Sequence, residues 1–416
     1  MADNRFICDL PWTHLSIHPH GNCSICCVAD HSNMQSTAAN KDEHGNYTQI
    51  LKIGDGIENI INSDSYKDIR KQMINGERPA ACSTCWKVED AGGKSKRQKD
   101  SYLFPDVDNI TKEDGSIDLN LTNVEVRLGN YCNLKCRSCN AESSTSWIDD
   151  YYKLKDRVPL PSGYDKLKNS HHVSYDWVED EGFYDNLIKN SPNMEQLHIS
   201  GGEPFLVPKH FYLLDRLIED DLAKNIKIFY ITNANYKYEK IKPALEKLKK
   251  FHAVFISFSV DDIGKRNTYI RSLSNWELTI ENIKKITTDF PNFHYTITQT
   301  INAYNFMYCE ELSQFLLKEK IMRFENGGLV NHIITNHVHS PEYQNANVLP
   351  LEVRKKKIES IKGLVAPEFY NDILGRYYDA PENGELELFK KVTYTVDEVR
   401  KESFSETFPK LFDIIK

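Results

Sequence analysis

The chain has 416 residues, 60 acidic against 52 basic, and a formal charge of -8. That length exceeds the size at which one hydrophobic core ordinarily stops growing, so two units, or a large domain with a satellite, are expected. The charge gives no domain-wide attraction to phosphate backbones, which disfavours nucleic acid as a partner. With no apolar run of about 18 residues and no charged region leading into an apolar stretch in MADNRFICDL, a soluble, cytoplasmic protein without a membrane contact is expected.

The ten cysteines stand at 8, 23, 26, 27, 82, 85, 132, 136, 139 and 309, so nine lie before residue 140 and most are closely spaced. Thiols kept reduced and clustered in this way more often hold metal than pair as disulfides. Residues 1–95 carry two of the groups together with short strand-like runs such as HLSIHP, and predict a small cysteine-rich domain. The Gly- and Lys/Arg-rich AGGKSKRQKDS that follows reads as the start of a linker over 96–120, with Lys94, Lys96, Arg97 and Lys99 as solvated linker charges.

From 121 to 332 apolar runs of strand length alternate with amphipathic stretches of helix length. The strands are expected at 124–129, 195–200, 226–232, 253–260, 294–301 and 321–327. At about 30 residues per strand-helix-strand crossover this span holds six units, whereas a closed eight-unit barrel needs about 250 residues. The expected fold is therefore α/β, a partial parallel (β/α)6 TIM-like barrel. Residues 333–416 read as a mostly helical C-terminal extension able to cover an open sheet edge.

Alternation along the strands places Phe255, Ser257, Ser259 and Asp261 on one face, with Thr296, Thr298, Thr300 and Asn302 repeating the pattern, and Gln196, His198 and Ser200 likewise. Hydroxyls and amides at positions that Val, Ile and Leu usually fill in a packed barrel predict an open lumen that receives a polar ligand.

Directly after the first core strand, Cys132, Cys136 and Cys139 form a CxxxCxxC loop. Three thiolates satisfy three irons of a cubane cluster and leave the fourth open to a substrate. After the second strand comes Ser200-Gly201-Gly202-Glu203-Pro204. Its glycines allow close backbone approach, and its carboxylate suits an ammonium group. Here the chain resembles the radical S-adenosylmethionine (SAM) superfamily, although Ser138 stands where many members have an aromatic residue before the last cysteine.

The resemblance implies a [4Fe-4S] cluster on Cys132, Cys136 and Cys139 that cleaves SAM reductively to a 5'-deoxyadenosyl radical. It implies SAM contacts from Gly201, Gly202, Glu203 and Pro204, from Asn233 beside Thr232 after the third strand, and from Ser259 and Asp261 ending the fourth. Arg271 and Asn302 are further candidates. Cys8, Gly21, Cys26 and the Cys82-x-x-Cys85 pair resemble the framework of twitch and SPASM auxiliary domains, which normally follow the barrel but here precede it. This implies one auxiliary iron-sulfur cluster, of [4Fe-4S] type, on Cys8, Cys26, Cys82 and Cys85. Cys27 is an alternative to its neighbour Cys26, a zinc ribbon is a rival reading of the same thiols, and Cys23 and Cys309 are expected bystanders.

The expected activity is hydrogen abstraction from a peptide or protein side chain, with an electron donor such as flavodoxin or ferredoxin as partner. A sugar or nucleotide dehydrogenase or epimerase, and a non-catalytic iron-sulfur module, are the alternatives.

Overall fold

The computed structural model describes residues 5–30, 33–90, 92–100, 106–160, 176–321 and 333–416. Two compact units emerge. The first takes in Met1–Gly129, Ser174–Tyr230 and Ala244–Val254; the second takes in Asn130–Val173, Ile231–Pro243 and Phe255–Lys416.

In the first unit, β1 (His14–Ile17) and β2 (Cys23–Ser24) form a short antiparallel hairpin, and β3 (Ala39–Lys41) and β4 (Tyr47–Ile50) form another. Three strands at expected core positions follow: β5 (Asn123–Leu128), β6 (Gln196–Gly201) and β7 (Lys227–Thr232). β5 pairs in parallel with β6, and β6 with β7. β1 also pairs in parallel with β5, aligning Ser16 with Glu125. The small cysteine-rich N-terminal domain thus also lends a strand, β1, to the edge of β5. The helix His210–Glu219 shows how such a layer is closed. His210, Leu213, Leu214 and Leu217 recur on one face and are all buried.

The second unit holds β8 (Ala253–Ser259), β9 (His294–Ile301) and β10 (Ile333–His337), with β9 parallel to both of the others. The alternation read from the sequence is present: Val254, Ile256 and Phe258 are buried, while Phe255, Ser257 and Ser259 are partly open. Each such apolar side chain contributes about 1.5–3 kcal/mol. The Ser257 and Thr298 hydroxyls on the other face lie 2.6 Å apart.

The strand expected at 321–327 lies outside the described residues except for Ile321. A parallel strand is present instead at β10, inside the segment read as a helical extension. Its short run IITNH alternates weakly, which hid it. The helix Pro367–Tyr377 packs on it: Asp372 accepts from Thr335 at 2.7 Å and lies 2.6 Å from His337, whose other nitrogen meets the Tyr377 hydroxyl at 2.8 Å.

The remaining helices, chiefly Leu351–Ser360 and Leu386–Arg400, bury Phe389, Val392 and Val396 with Trp147, Tyr151, Tyr269 and Tyr304 in one aromatic-rich core. Both units are therefore α/β with mostly parallel strands, as expected. No helix among the described residues is long and apolar enough to cross a membrane.

Candidate iron-sulfur centres

The CxxxCxxC loop opens the second unit, and its three cysteines are partly buried. The Leu134 N–H lies 3.4 Å from the Cys132 sulfur, and the Asn233 amide lies 3.9 Å from the same atom. Asn233 also donates to Asn133 at 2.9 Å, and Asn133 donates to the Asn235 carbonyl at 2.5 Å. The TN pair after the third core strand is thereby tied to the cluster loop. Donors aimed at sulfur favour thiolate.

Burial pushes the Cys139 thiol up to about 12, and neighbouring Cys136 adds to the shift. Cys136 is likewise raised by burial, against the opposing pull of Arg271. Bound iron reverses that preference, because a coordinating thiol is deprotonated outright. For Arg271, burial acts to lower the pKa, but the Cys136 sulfur and Asp261 outweigh it and hold the guanidinium above its ordinary value. Its Nη1 donates to Asp261 at 3.0 Å, and its Nε has no hydrogen-bond partner. A mostly enclosed, part-satisfied guanidinium close enough to Cys136 to feel its charge suits an anionic ligand.

The other candidates in this unit are spent differently. Asp261 is fully buried, accepts the Thr300 N–H at 2.9 Å and braces Arg271 at 3.0 Å. Asn302 builds its own loop. Its oxygen accepts the Tyr304 and Asn305 N–H groups at 2.9 and 3.3 Å, and its amide donates to the Thr300 carbonyl at 3.2 Å. Ser259 ends β8 partly open. Cys309 is fully buried, and burial pushes its thiol up to about 12, which suits a bystander.

The Gly-Gly-Glu-Pro turn belongs to the first unit. Gly201 has φ +134°, and Gly202 donates to the Gly129 carbonyl at 3.3 Å. Glu203 is fully buried and accepts the Phe205 N–H at 3.3 Å, capping the turn Pro204–Leu206.

In the same unit Cys8, Cys26, Cys82 and Cys85 line one small cavity, walled by Leu10, Ile25, Val28, Ala29 and Met73. Four thiols around a largely apolar space are the donor set an iron-sulfur cluster uses. They surround a space rather than meeting at a point; no three His, Cys, Asp or Glu side chains among the described residues converge on a single ion.

The two adjacent cysteines point in different directions. Cys26 joins the other three, while Cys27 hydrogen-bonds Glu125 on β5 and is pushed up to about 11 by burial, with Glu125 adding to the shift. Cys23 is fully buried and turned toward the Gly21 carbonyl at 3.7 Å.

The reading of Arg97 as a solvated linker charge is corrected here. Arg97 is buried, donates to the Ile7 carbonyl at 2.8 Å, pairs with Glu89 at 2.6 Å and lies 4.7 Å from the centre of the Trp86 ring. With Lys96 it also lines the four-cysteine cavity. A basic run in sequence looks solvated because its acidic partner and its aromatic shelf belong to a preceding helix, Ser83–Asp90.

Sequence reasoning also left out Trp147, which donates to the Cys136 carbonyl at 2.8 Å, and Asn133. The proximity of both to the motif was the available signal.

Comparison with known proteins supplies the family. Residues 126–316 match the radical SAM superfamily, and residues 8–86 match an iron-sulfur cluster-binding domain, SPASM. No curated protein matches the sequence. Among solved structures, the chain is similar to native anSMEcpe with bound AdoMet, at 14% identity and TM-score 0.40, over 60% of this chain and 61% of that one. It is also similar to Streptococcus suis SuiB bound to the precursor peptide SuiA, at 15% identity and TM-score 0.35, over 80% and 64%. The chain thus spans less than two thirds of either structure. With its three-cysteine loop inside the first matched segment and its four-cysteine cavity inside the second, the chain belongs to the radical SAM superfamily and carries a SPASM iron-sulfur domain ahead of the core.

Proposed function

We propose that this protein cleaves SAM reductively and uses the resulting radical to abstract hydrogen from a peptide or protein side chain. The observation that carries the reading is the loop of Cys132, Cys136 and Cys139, with the Asn233 amide 3.9 Å from the Cys132 sulfur, in a chain of this family. Cys132, Cys136 and Cys139 would hold a [4Fe-4S] cluster, which would supply the electron for reductive cleavage of SAM.

The chain's own groups bind and orient. Arg271, braced by Asp261, offers its cation to the carboxylate of SAM, and Glu203 is the candidate for the ammonium on its Gly-Gly-Glu-Pro motif alone. Asn233 holds the loop at Cys132, and Gly201, at φ +134°, leaves no side chain between the turn and its neighbours. Ser259, at the open end of β8, is a candidate for the ribose.

Cys8, Cys26, Cys82 and Cys85 would hold one auxiliary cluster, which can accept an electron from the substrate or bind it. A peptide substrate is favoured by the presence of a SPASM domain in the same chain, with flavodoxin or ferredoxin as reductant. The partly open hydroxyl row of Ser257, Ser259, Thr296, Thr298 and Thr300 supports a second reading, a hydroxyl-rich substrate such as a sugar. Anaerobic incubation with dithionite, SAM and panels of peptides and sugar nucleotides decides between the two. The productive panel is the one whose member changes mass in step with 5'-deoxyadenosine.

A further inference from the structure

Arg137 lies between two of the three loop cysteines and is 4% exposed. Its Nη2 donates to Asp397 and to Glu402, each at 2.5 Å, and its Nε donates to the Tyr269 carbonyl at 3.2 Å. The guanidinium sits 3.6 Å from the centre of the Tyr269 ring. Both carboxylates come from the end of one C-terminal helix, Leu386–Arg400, and the turn behind it.

They are held ready for the arginine. Asp397 accepts the Tyr269 hydroxyl and the Phe404 N–H, each at 2.6 Å, and Glu402 accepts the Ser272 hydroxyl. Lys401 takes a left-handed conformation, φ 57°, which stops the helix and turns Glu402 back, so that its N–H donates to the Asp397 carbonyl at 3.0 Å.

The same helix reaches the other side of Cys136. Lys135 pairs with Asp150 at 3.0 Å, and the second oxygen of Asp150 accepts from Arg400 at 2.7 Å. Arg400 in turn lies 4.4 Å from the ring centre of Trp147, the residue that holds the Cys136 carbonyl. Both neighbours of Cys136 are therefore tied to one helix more than 240 residues further along the chain.

We propose that this C-terminal helix positions the Cys136–Cys139 part of the cluster loop, with Arg137 as the positioning residue and Asp397 and Glu402 as its fixed anchors. Buried ion pairs of this kind add little net stability over apolar packing, whereas a planar guanidinium held by two carboxylates fixes a direction. Fixed direction is what three ligands on a short loop require, and groups that orient ligands commonly change metal retention about ten- to a hundredfold when altered.

The inference rests on the reading of Cys132, Cys136 and Cys139 as cluster ligands, so wild type must first show a reduced-cluster electron paramagnetic resonance signal that changes on adding SAM. Failure there overturns both. The test compares iron loss to a chelator, that signal and the KM for SAM in wild type, in Asp397→Asn with Glu402→Gln, and in Arg137→Lys. Each is built with Cys82→Ala and Cys85→Ala to remove the auxiliary signal.

The isosteric pair should shed iron about tenfold faster and shift the SAM-bound signal, with far-ultraviolet circular dichroism unchanged, while Arg137→Lys, which keeps the charge but not the fork, falls between. Should the pair fail to fold, Ser272→Ala loosens Glu402 without altering any charge and should still move the SAM-bound signal. Wild-type iron retention and a superimposable spectrum in the folded variants overturn the proposal.

Discussion

A methyl group placed on Gly201 would begin 2.7 Å from the backbone nitrogen of Leu128, the last residue of the neighbouring strand β5. The glycine also holds φ +134°, outside the range of L side chains. Gly201→Ala should therefore destabilise the protein by at least about 2 kcal/mol, by adding backbone strain to a clash that no flexible side chain can relieve. A fall in the urea midpoint with unchanged slope is the expected result; an unshifted midpoint would show that the two strands part easily.

Glu203 has two duties that substitutions separate. Glu203→Gln keeps an oxygen for the Phe205 N–H and removes the charge, so folding should hold while SAM binding weakens by about ten- to a hundredfold, the worth of a charge-assisted bond. Glu203→Ala should in addition lose about 1 kcal/mol of stability with the cap. Titration calorimetry that finds equal SAM affinity in the Gln variant would reduce the residue to a turn former.

The auxiliary site predicts a contrast between neighbours. Cys26→Ala, or Cys82→Ala with Cys85→Ala, should lose the auxiliary iron, about four atoms for a [4Fe-4S] cluster, and still cleave SAM without modifying substrate. Cys27→Ala should keep that iron, because its thiol faces Glu125. Metal analysis after anaerobic purification and reconstitution is the check; zinc in the wild-type site would restore the zinc-ribbon reading.

His210 makes stability depend on pH. It is fully buried, its Nδ1 lies 2.6 Å from the Val207 carbonyl and its Nε2 lies 3.0 Å from the Tyr230 hydroxyl, and burial lowers its pKa from 6.5 to about 4. The native state therefore resists a proton that the unfolded chain accepts. Stability should be full above about pH 6.5 and fall by up to about 3 kcal/mol as the pH drops to about 4. His210→Gln, which offers a donor and an acceptor but does not titrate, should flatten that part of the profile. Parallel slopes for the two proteins would assign the acid sensitivity elsewhere.

How much of this was legible in the sequence follows from which forces are local. Strand alternation, as in Val254, Ile256 and Phe258, and cysteine spacing, as in Cys132, Cys136 and Cys139, are properties of a few adjacent residues, so the first five core strands and the radical SAM resemblance could be read directly. The SPASM identity of the cysteine-rich segment was legible for the same reason.

Contacts that depend on distant partners were not legible. Nothing near Arg137 announces Asp397, 260 residues on, and nothing near Arg97 announces the Ile7 carbonyl, 90 residues back. The parallel pairing of β1 with β5 escaped for that reason too: HLSI reads as a strand, but its neighbour is chosen by the fold. Asn302 shows where local reading is ambiguous. An Asn at a strand end suits a ligand contact and a loop cap equally, and here its hydrogen bonds go to the loop.

The central claim, that Cys132, Cys136 and Cys139 support reductive cleavage of SAM, meets its most direct test in one assay. Reconstituted wild type and Cys136→Ala are incubated anaerobically with dithionite and SAM, and 5'-deoxyadenosine is measured by mass spectrometry. The account predicts steady formation by wild type and none above background by the variant, which keeps its auxiliary iron. Equal formation by both proteins, or none by a wild type shown to hold its full iron, would contradict it.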